Sequence, residues 1–244
     1  VTPADVQTVN EMKQWLLQSK RTQAWDTPIN SVNAVYAFFG GNCESLGASK
    51  PMAVLKLNGQ TLVMPKATAG MGYVKTAKTG EKMKTLSIEK QTDGTSWGAV
   101  YAQFVQPTAD VADAAEGMSV VREVLKNGKR IATDGETLAV GDRITVRIVI
   151  NADRDSDFVQ LADRRAACLE PLGQLSGYRD GCYCEPKDNA TNYYFDRLSK
   201  GKHVVETEYY VDRAGTYQTG TCTVQCAYSP EFGARTKAVA LSVE

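Results

Sequence analysis

The chain has 244 residues, enough for two domains whose cores need no disulfide to hold them. It is 43% hydrophobic and 23% charged, and 28 Lys and Arg balance 28 Asp and Glu. That neutrality excludes the basic excess expected of a nucleic-acid or membrane-surface partner. No apolar run nears the roughly 20 residues of a membrane-crossing helix. No signal peptide or initiator Met precedes Val1, so the sequence reads as a mature or excised piece.

The first elements are helical. Thr2-Pro3-Ala4-Asp5 supplies an N-cap, a first-turn proline and an acid at the positive end of the dipole. Val6, Val9, Met12, Trp15 and Leu16 follow at helical spacing. Thr27-Pro28 repeats this opening ahead of Ile29, Val32, Val35 and Phe38 or Phe39, and Gly40-Gly41 stops the pattern. Residues 1–41 are therefore expected to form a helix pair, the remnant of a larger helical domain, since two such stripes alone bury little.

Beyond Gly41 the period falls to two. Strands are expected over Met52–Leu57, Thr61–Met64, Tyr73–Thr76, Lys84–Glu89 and Trp97–Val105, with Asn58-Gly59 as a hairpin turn between the first two. Gln106–Glu116 is polar and Ala-rich and reads as a linker. A second set of strands runs over Ser119–Leu125, Ile144–Ile150, Phe158–Leu161, Tyr193–Leu198, Val204–Val211, Thr216–Tyr228 and Lys237–Val243. Ile144, Val146, Ile148 and Ile150 alternate with Arg143, Thr145 and Arg147, the mark of a strand with one buried face. The fold class expected is mainly β, with tandem sandwiches of immunoglobulin-like or macroglobulin type behind a short helical pair.

Several motifs invite chemistry. Gly94-Thr95-Ser96-Trp97-Gly98 matches the G-x-S-x-G of serine hydrolases, and His203, the only histidine, lies downstream. A strand is expected after Ser96 where that motif needs a helix, so a structural role is the stronger reading. Asp153, Asp155 and Asp157 resemble the opening of a calcium loop. Phe158 and Arg164 occupy the positions that want Gly and Glu, and a charged loop is favoured. Asn189-Ala190-Thr191 is a glycosylation sequon by pattern only.

Five of the six cysteines, Cys168, Cys182, Cys184, Cys222 and Cys226, lie in the last third, and Cys43 stands alone. Cys222 and Cys226 share a strand face about 13 Å apart, too far for one bridge. Disulfides joining Cys168, Cys182 or Cys184 to Cys222 or Cys226 rank above free thiols, and free thiols above zinc, because no C-x-x-C pair exists.

Longer strings carry a resemblance. Residues 12–36 (MKQWLLQSKRTQAWDTPINSVNAVY) resemble the last helix pair of the thioester-domain toroid in bacterial α2-macroglobulin-like proteins. Residues 94–103 (GTSWGAVYAQ) resemble a strand of the small β domain after that toroid. Residues 141–171 (GDRITVRIVINADRDSDFVQLADRRAACLEP), 187–195 (KDNATNYYF), 198–201 (LSKG) and 228–232 (YSPEF) are similar to the C-terminal macroglobulin domain. The flavour is that of the large Bacteroidetes-type members.

The resemblance implies three parts: a toroid remnant at 1–41, a small β domain at 42–115 and a C-terminal macroglobulin sandwich at 116–244. It implies a protease-trapping endopeptidase inhibitor whose partners are proteases, through the full-length parent, and the rest of the parent chain. No nucleic acid, no direct membrane insertion, no cofactor and no catalytic residue is expected. Neither a bait region nor a Cys-x-Glu-Gln thioester lies in these residues. The expected location is exported, periplasmic or cell-surface, on a parent that could be a membrane-anchored lipoprotein. The cysteine pairs depart from the family pattern as a local addition. A cell-surface binding or adhesion module is the alternative, and a hydrolase at Ser96 the third.

Overall fold

The computed structural model describes residues 2–40, 53–63, 75–77, 80, 82–90, 98–131 and 136–244. The chain divides into two compact units, one of residues 1–16 and 25–102, the other of residues 17–24 and 103–244.

In the first unit, helices α1 (Pro3–Thr22, whose residues 17–22 belong to the second unit) and α2 (Pro28–Phe38) start where the threonine-proline pairs place them. The Thr2 hydroxyl accepts from the Asp5 amide, and the Asp5 carboxylate accepts from the Thr2 amide at 2.7 Å, a reciprocal box at the helix start. Thr27 caps α2 by accepting from the Asn30 amide at 3.2 Å. Val6, Val9, Met12, Trp15, Ile29, Val32 and Tyr36 are all exposed, so the two apolar stripes have no helical partner among the described residues. Beyond them, β1 (Val54–Leu57), β2 (Gln60–Thr61) and β3 (Leu86–Glu89) form a three-stranded sheet of order β2-β1-β3. Asn58 and Gly59, both at positive φ, turn the β1–β2 hairpin as expected.

Two expected strands do not form over the described residues. Lys75–Ala77 and Gly98–Pro107 carry no regular structure, and Val100, Tyr101, Phe104 and Val105 are exposed. An alternating pattern becomes a strand only when another strand pairs with it, and no strand among the described residues does so here. Tyr73, Val74 and Trp97 lie outside the described residues. The expected linker holds a 3₁₀ turn at Thr108–Asp110 and then a short strand, β4 (Ala114–Glu116).

The second unit is a β-sandwich. Its strands are β4, β5 (Met118–Lys126), β6 (Lys129–Arg130), β7 (Thr137–Leu138), β8 (Arg143–Ala152), β9 (Ser156–Arg164), β10 (Leu169–Pro171), β11 (Gly177–Arg179), β12 (Cys182–Pro186), β13 (Ala190–Leu198), β14 (Gly201–Val211), β15 (Gly215–Gln218), β16 (Cys222–Cys226), β17 (Ser229–Thr236) and β18 (Ala240–Val243). One sheet has the order β10-β14-β8-β5-β6 and the other β11-β12-β13-β9-β16-β17-β4, with a small β15-β18-β7 sheet beside them. The expected strand Thr216–Tyr228 is split between two sheets at Gly220, where a Cβ would sit 2.5 Å from that of Arg164.

Alternation builds the core. Ile144, Val146, Ile148, Ile150 and Ala152 of β8 face Val159 and Leu161 of β9, Tyr193 and Phe195 of β13 and Val224 of β16, all buried. Three polar links cross the interior. The Thr191 and Tyr209 hydroxyls share a hydrogen bond at 3.0 Å, and the Tyr193 and Thr207 hydroxyls share another. Arg122 of β5 reaches across to Asp163 of β9 at 3.0 Å, and its guanidinium also donates to Thr219 Oγ1 and to the carbonyls of Arg164 and Gly220. The polar groups of these three links are thus satisfied by partners on the opposite sheet or in a loop beneath it.

Candidate interaction site at one end of the sandwich

On β9 the buried positions run Ser156, Val159, Leu161, Asp163, and on its partner β13 they run Tyr193, Phe195, Leu198. Both strands skip one residue at the same level, with Val159 opposite Phe195 and Ser156 opposite Leu198. The backbone reason is Phe158, which sits at φ +56°, a conformation that large side chains rarely adopt. On the other side of β9, β16 and β17 slip register between Gln225 and Cys226. Together these turn Phe158 outward, where it is 44% exposed and meets Tyr228 edge-to-face with ring centroids 5.5 Å apart. Tyr228, in the turn from β16 to β17, is 80% exposed. A strained backbone and a bulge both holding aromatics in solvent are features that cluster at functional surfaces.

The same end of the sandwich grips residues 17–24. The Ala24 amide donates to Asp157 Oδ2 at 2.7 Å, and the Gln23 side-chain amide donates to the Asp155 carbonyl at 3.4 Å. Arg21 pairs with Glu231 and lies over the Phe232 ring at 5.6 Å. Arg154 lies over the same ring at 5.3 Å while its guanidinium binds Asp153. Gly117, at φ +70°, allows the approach, because a Cβ there would stand 3.2 Å from the Phe232 ring.

The three aspartates of the calcium-like motif are engaged by protein. Asp153 binds Arg154, Asp155 accepts from Arg197 and from the Lys200 amide, and Asp157 accepts from Ala24. The Arg154 guanidinium holds the Asp153 carboxyl below its ordinary range, and the Lys200 amide, followed by Arg197, does the same for Asp155. Phe158 does adopt the left-handed backbone that a calcium loop assigns to glycine at this position, yet no metal-binding group of His, Cys, Asp and Glu exists among the described residues.

Gly94 to Trp97, including Ser96, and Cys43 lie outside the described residues. Gly98 and the nine residues after it form neither strand nor helix, so the helix a nucleophile elbow requires is not there. His203 is half-buried on β14, its Nε2 2.7 Å from the Ser199 carbonyl.

The expected disulfides are not seen among the described residues. Cys168, Cys182, Cys184, Cys222 and Cys226 are all free and buried. Cys182 and Cys184 lie on β12 and Cys222 and Cys226 on β16, with β13 and β9 between them. Three strand spacings put the two pairs about 14 Å apart, more than twice the reach of a bridge. Spacing correctly sets each pair on one face, the inward one, where they behave as small apolar side chains. Burial raises the Cys182 thiol to about 11 and the Cys222 thiol well above its ordinary value. Arg179 donates to Cys184 Sγ at 2.6 Å.

The fold has known counterparts. Residues 117–231 match the family model for the bacterial alpha-2-macroglobulin MG10 domain. No curated protein matches the chain. Among solved structures, Escherichia coli alpha-2-macroglobulin activated by porcine elastase is 16% identical over 93% of this chain, with a TM-score of 0.54, and this chain covers 21% of it. Salmonella alpha-2-macroglobulin reacted with methylamine is 17% identical over 91% of this chain, with a TM-score of 0.50 and 15% of that chain covered. Native Escherichia coli alpha-2-macroglobulin from domain MG7 to the C-terminus is 18% identical over 57% of this chain, with a TM-score of 0.50 and 25% covered. This chain therefore spans no more than a quarter of those macroglobulins. Residues 117–231 thus match a macroglobulin domain of the MG10 type, and the chain shares its fold with part of the bacterial alpha-2-macroglobulins.

Proposed function

We propose that this chain is a non-catalytic C-terminal portion of a macroglobulin-like protease trap, exported to the periplasm or cell surface. Its role is mechanical: the sandwich holds the chain that precedes it and moves with it when a protease cuts elsewhere in the parent. The MG10 match over residues 117–231 carries this reading. The grip on residues 21–24 by Asp157, Asp155, Glu231 and Phe232 supports it, because a coupling domain needs fixed points on the segment it couples to. Proteases are then partners of the parent, not of this chain alone.

The test compares the two. The full-length parent, mixed with trypsin or elastase, should change mobility on cleavage and slow hydrolysis of large substrates. The isolated chain should leave both proteases unaffected. Stoichiometric inhibition by the isolated chain would overturn the reading, and so would a parent that is cut without any conformational change.

A further inference from the structure

On the seven-stranded sheet, the residues that alternate with the buried ones form rows across its outer face. One row follows the register from strand to strand. Tyr178 of β11 pairs with Tyr183 of β12, Tyr183 with Tyr194 of β13, Tyr194 with Gln160 of β9, and Gln160 with Gln225 of β16. The three rings meet in sequence, with centroids 5.2 Å and then 6.4 Å apart and planes turned by 68° and then 43°. Tyr178 and Tyr194 are exposed, and Tyr183 is half-buried between them. Glu185 Oε2 accepts from the Tyr194 hydroxyl at 3.3 Å, and Lys187 pairs with Glu185 at 2.7 Å, so the third ring is tied in place. Gln160 and Gln225 are half-buried, and their side-chain amides have no hydrogen-bond partner among the described residues. Beside them the next row holds the small residues Ala162 and Thr223, so the face is low there and rises at Tyr194.

Cross-strand tyrosine pairs steady the edge of a sheet, but that role does not call for two unpaired amides continuing the row. Aromatic surface with a few placed polar groups is the make-up of a ligand site. The charge of the row narrows the ligand. It carries no Lys or Arg, and Lys187 beside it is spent on Glu185. A single-stranded nucleic acid stacks on aromatic rings but needs a positive groove, so it is not served. β12, β13, β9 and β16 lie inside the sheet, their backbone groups used in the ladders, so no peptide strand can add to them. A sugar fits both halves of the row. Its C–H faces are apolar and pack on aromatic rings, and its hydroxyls both donate and accept, as a primary amide does. We propose that this row binds a neutral, unbranched oligosaccharide, with ring faces laid on Tyr178, Tyr183 and Tyr194 and hydroxyls on the Gln160 and Gln225 amides. The four strand spacings from Tyr178 to Gln225 span about 19 Å, room for several sugar units. The turn from one ring plane to the next suits a free chain, whose successive sugars rotate, and not the flat surface of a packed polymer. The site is independent of the protease-trap reading.

Titration of the full chain with cellohexaose, chitohexaose, xylohexaose and mannohexaose, followed by NMR, tests it. At least one of these should shift the side-chain amide resonances of Gln160 and Gln225, saturating with a Kd of about 1 mM or below. The matching disaccharide cannot reach from the rings to the amides and should bind at least about tenfold more weakly. Tyr178→Ala, at an exposed edge position, and Gln225→Ala should each keep the cooperative melt and lose about tenfold in affinity. Tyr178→Phe, which keeps the ring, should bind as the unaltered chain does. The absence of any shift at the two amides would overturn the proposal. So would equal binding of disaccharide and hexasaccharide, or undiminished binding by Tyr178→Ala. Shifts of the same amides by a proline-rich peptide or a thymidine oligonucleotide, with none from the sugars, would assign the face to a different partner and overturn it as well.

Discussion

Arg122 and Asp163 stand 41 positions apart, and their side chains are 6% and 3% exposed. Removing the arginine leaves a carboxylate stranded between two sheets, a change that costs about 3–5 kcal/mol. Arg122→Met should lower the urea midpoint accordingly while leaving the slope unchanged. The effect depends on pH. Burial raises the Asp163 carboxyl above its ordinary 3.8, and the Arg122 guanidinium opposes that rise. A folded state that holds a proton more tightly than the unfolded chain loses stability as pH rises from the unfolded value toward the folded one. Without Arg122 the folded value climbs further, so the penalty in Arg122→Met should grow from about pH 4 upward and be smallest below it. A penalty that does not change with pH would show that packing, not charge, is what the arginine supplies. The five buried thiols give a second expectation at this scale. In the native chain these five should react with a thiol reagent slowly at pH 8, and unfolded chain without reductant should release all six thiols of the sequence, Cys43 included, at once. Fewer than six would mean that cysteines cross-link in the cell. The sequence places these cysteines on shared faces through their even spacing. It does not mark Arg122 or Asp163, because a buried pair made across a sandwich leaves no local pattern.

Elements were legible where one face is buried and the other wet. β8 is the clearest case, since Ile144 to Ile150 alternate without a break, and the threonine-proline starts of α1 and α2 follow from side-chain geometry alone. Reading failed where pairing decides. Val100 to Phe104 alternates as well as many strands do, yet no strand forms there. β11, β12 and most of β17 carry Gly, Pro, Cys or charges and become strands because a neighbour offers an edge. The candidate site is half visible in the sequence: Phe158 is a misfit in the calcium-like loop, and Tyr228 lies in the family-like string 228–232. Their meeting depends on the face change at Phe158, which no periodicity announces. An exposed edge-to-face pair contributes about 0.5–1.5 kcal/mol. Tyr228→Ala should therefore cost no more than that in unfolding experiments, far less than a large-to-small change at a core position such as Leu161. A loss of several kcal/mol would show that the aromatic end is part of the fold's support and not a surface held ready for contact.

The proposal for the whole molecule turns on size. A compact body of the 142 residues 103–244 has a radius of gyration of about 14 Å, and a protease of ordinary size has one of about 17 Å. One sandwich cannot enclose a body larger than itself. Whatever trapping the parent performs needs several such domains arranged around the enzyme, and this chain covers only 21% of the elastase-activated macroglobulin it matches. The inhibitory effect of the chain alone is therefore expected to be nil. Trypsin at a tenfold deficit to the chain should hydrolyse a small chromogenic peptide and a large protein substrate at its unimpeded rates. The chain should meanwhile be cut, if at all, in exposed segments and not in the sandwich strands. In the parent the two substrates should part company after cleavage. A closed cage admits small peptides by diffusion and excludes proteins, so hydrolysis of the large substrate should fall while the small one continues. If the isolated chain slows both substrates equally at one-to-one stoichiometry, it acts on the protease's active site directly, and the surface to examine is the exposed Phe158–Tyr228 end.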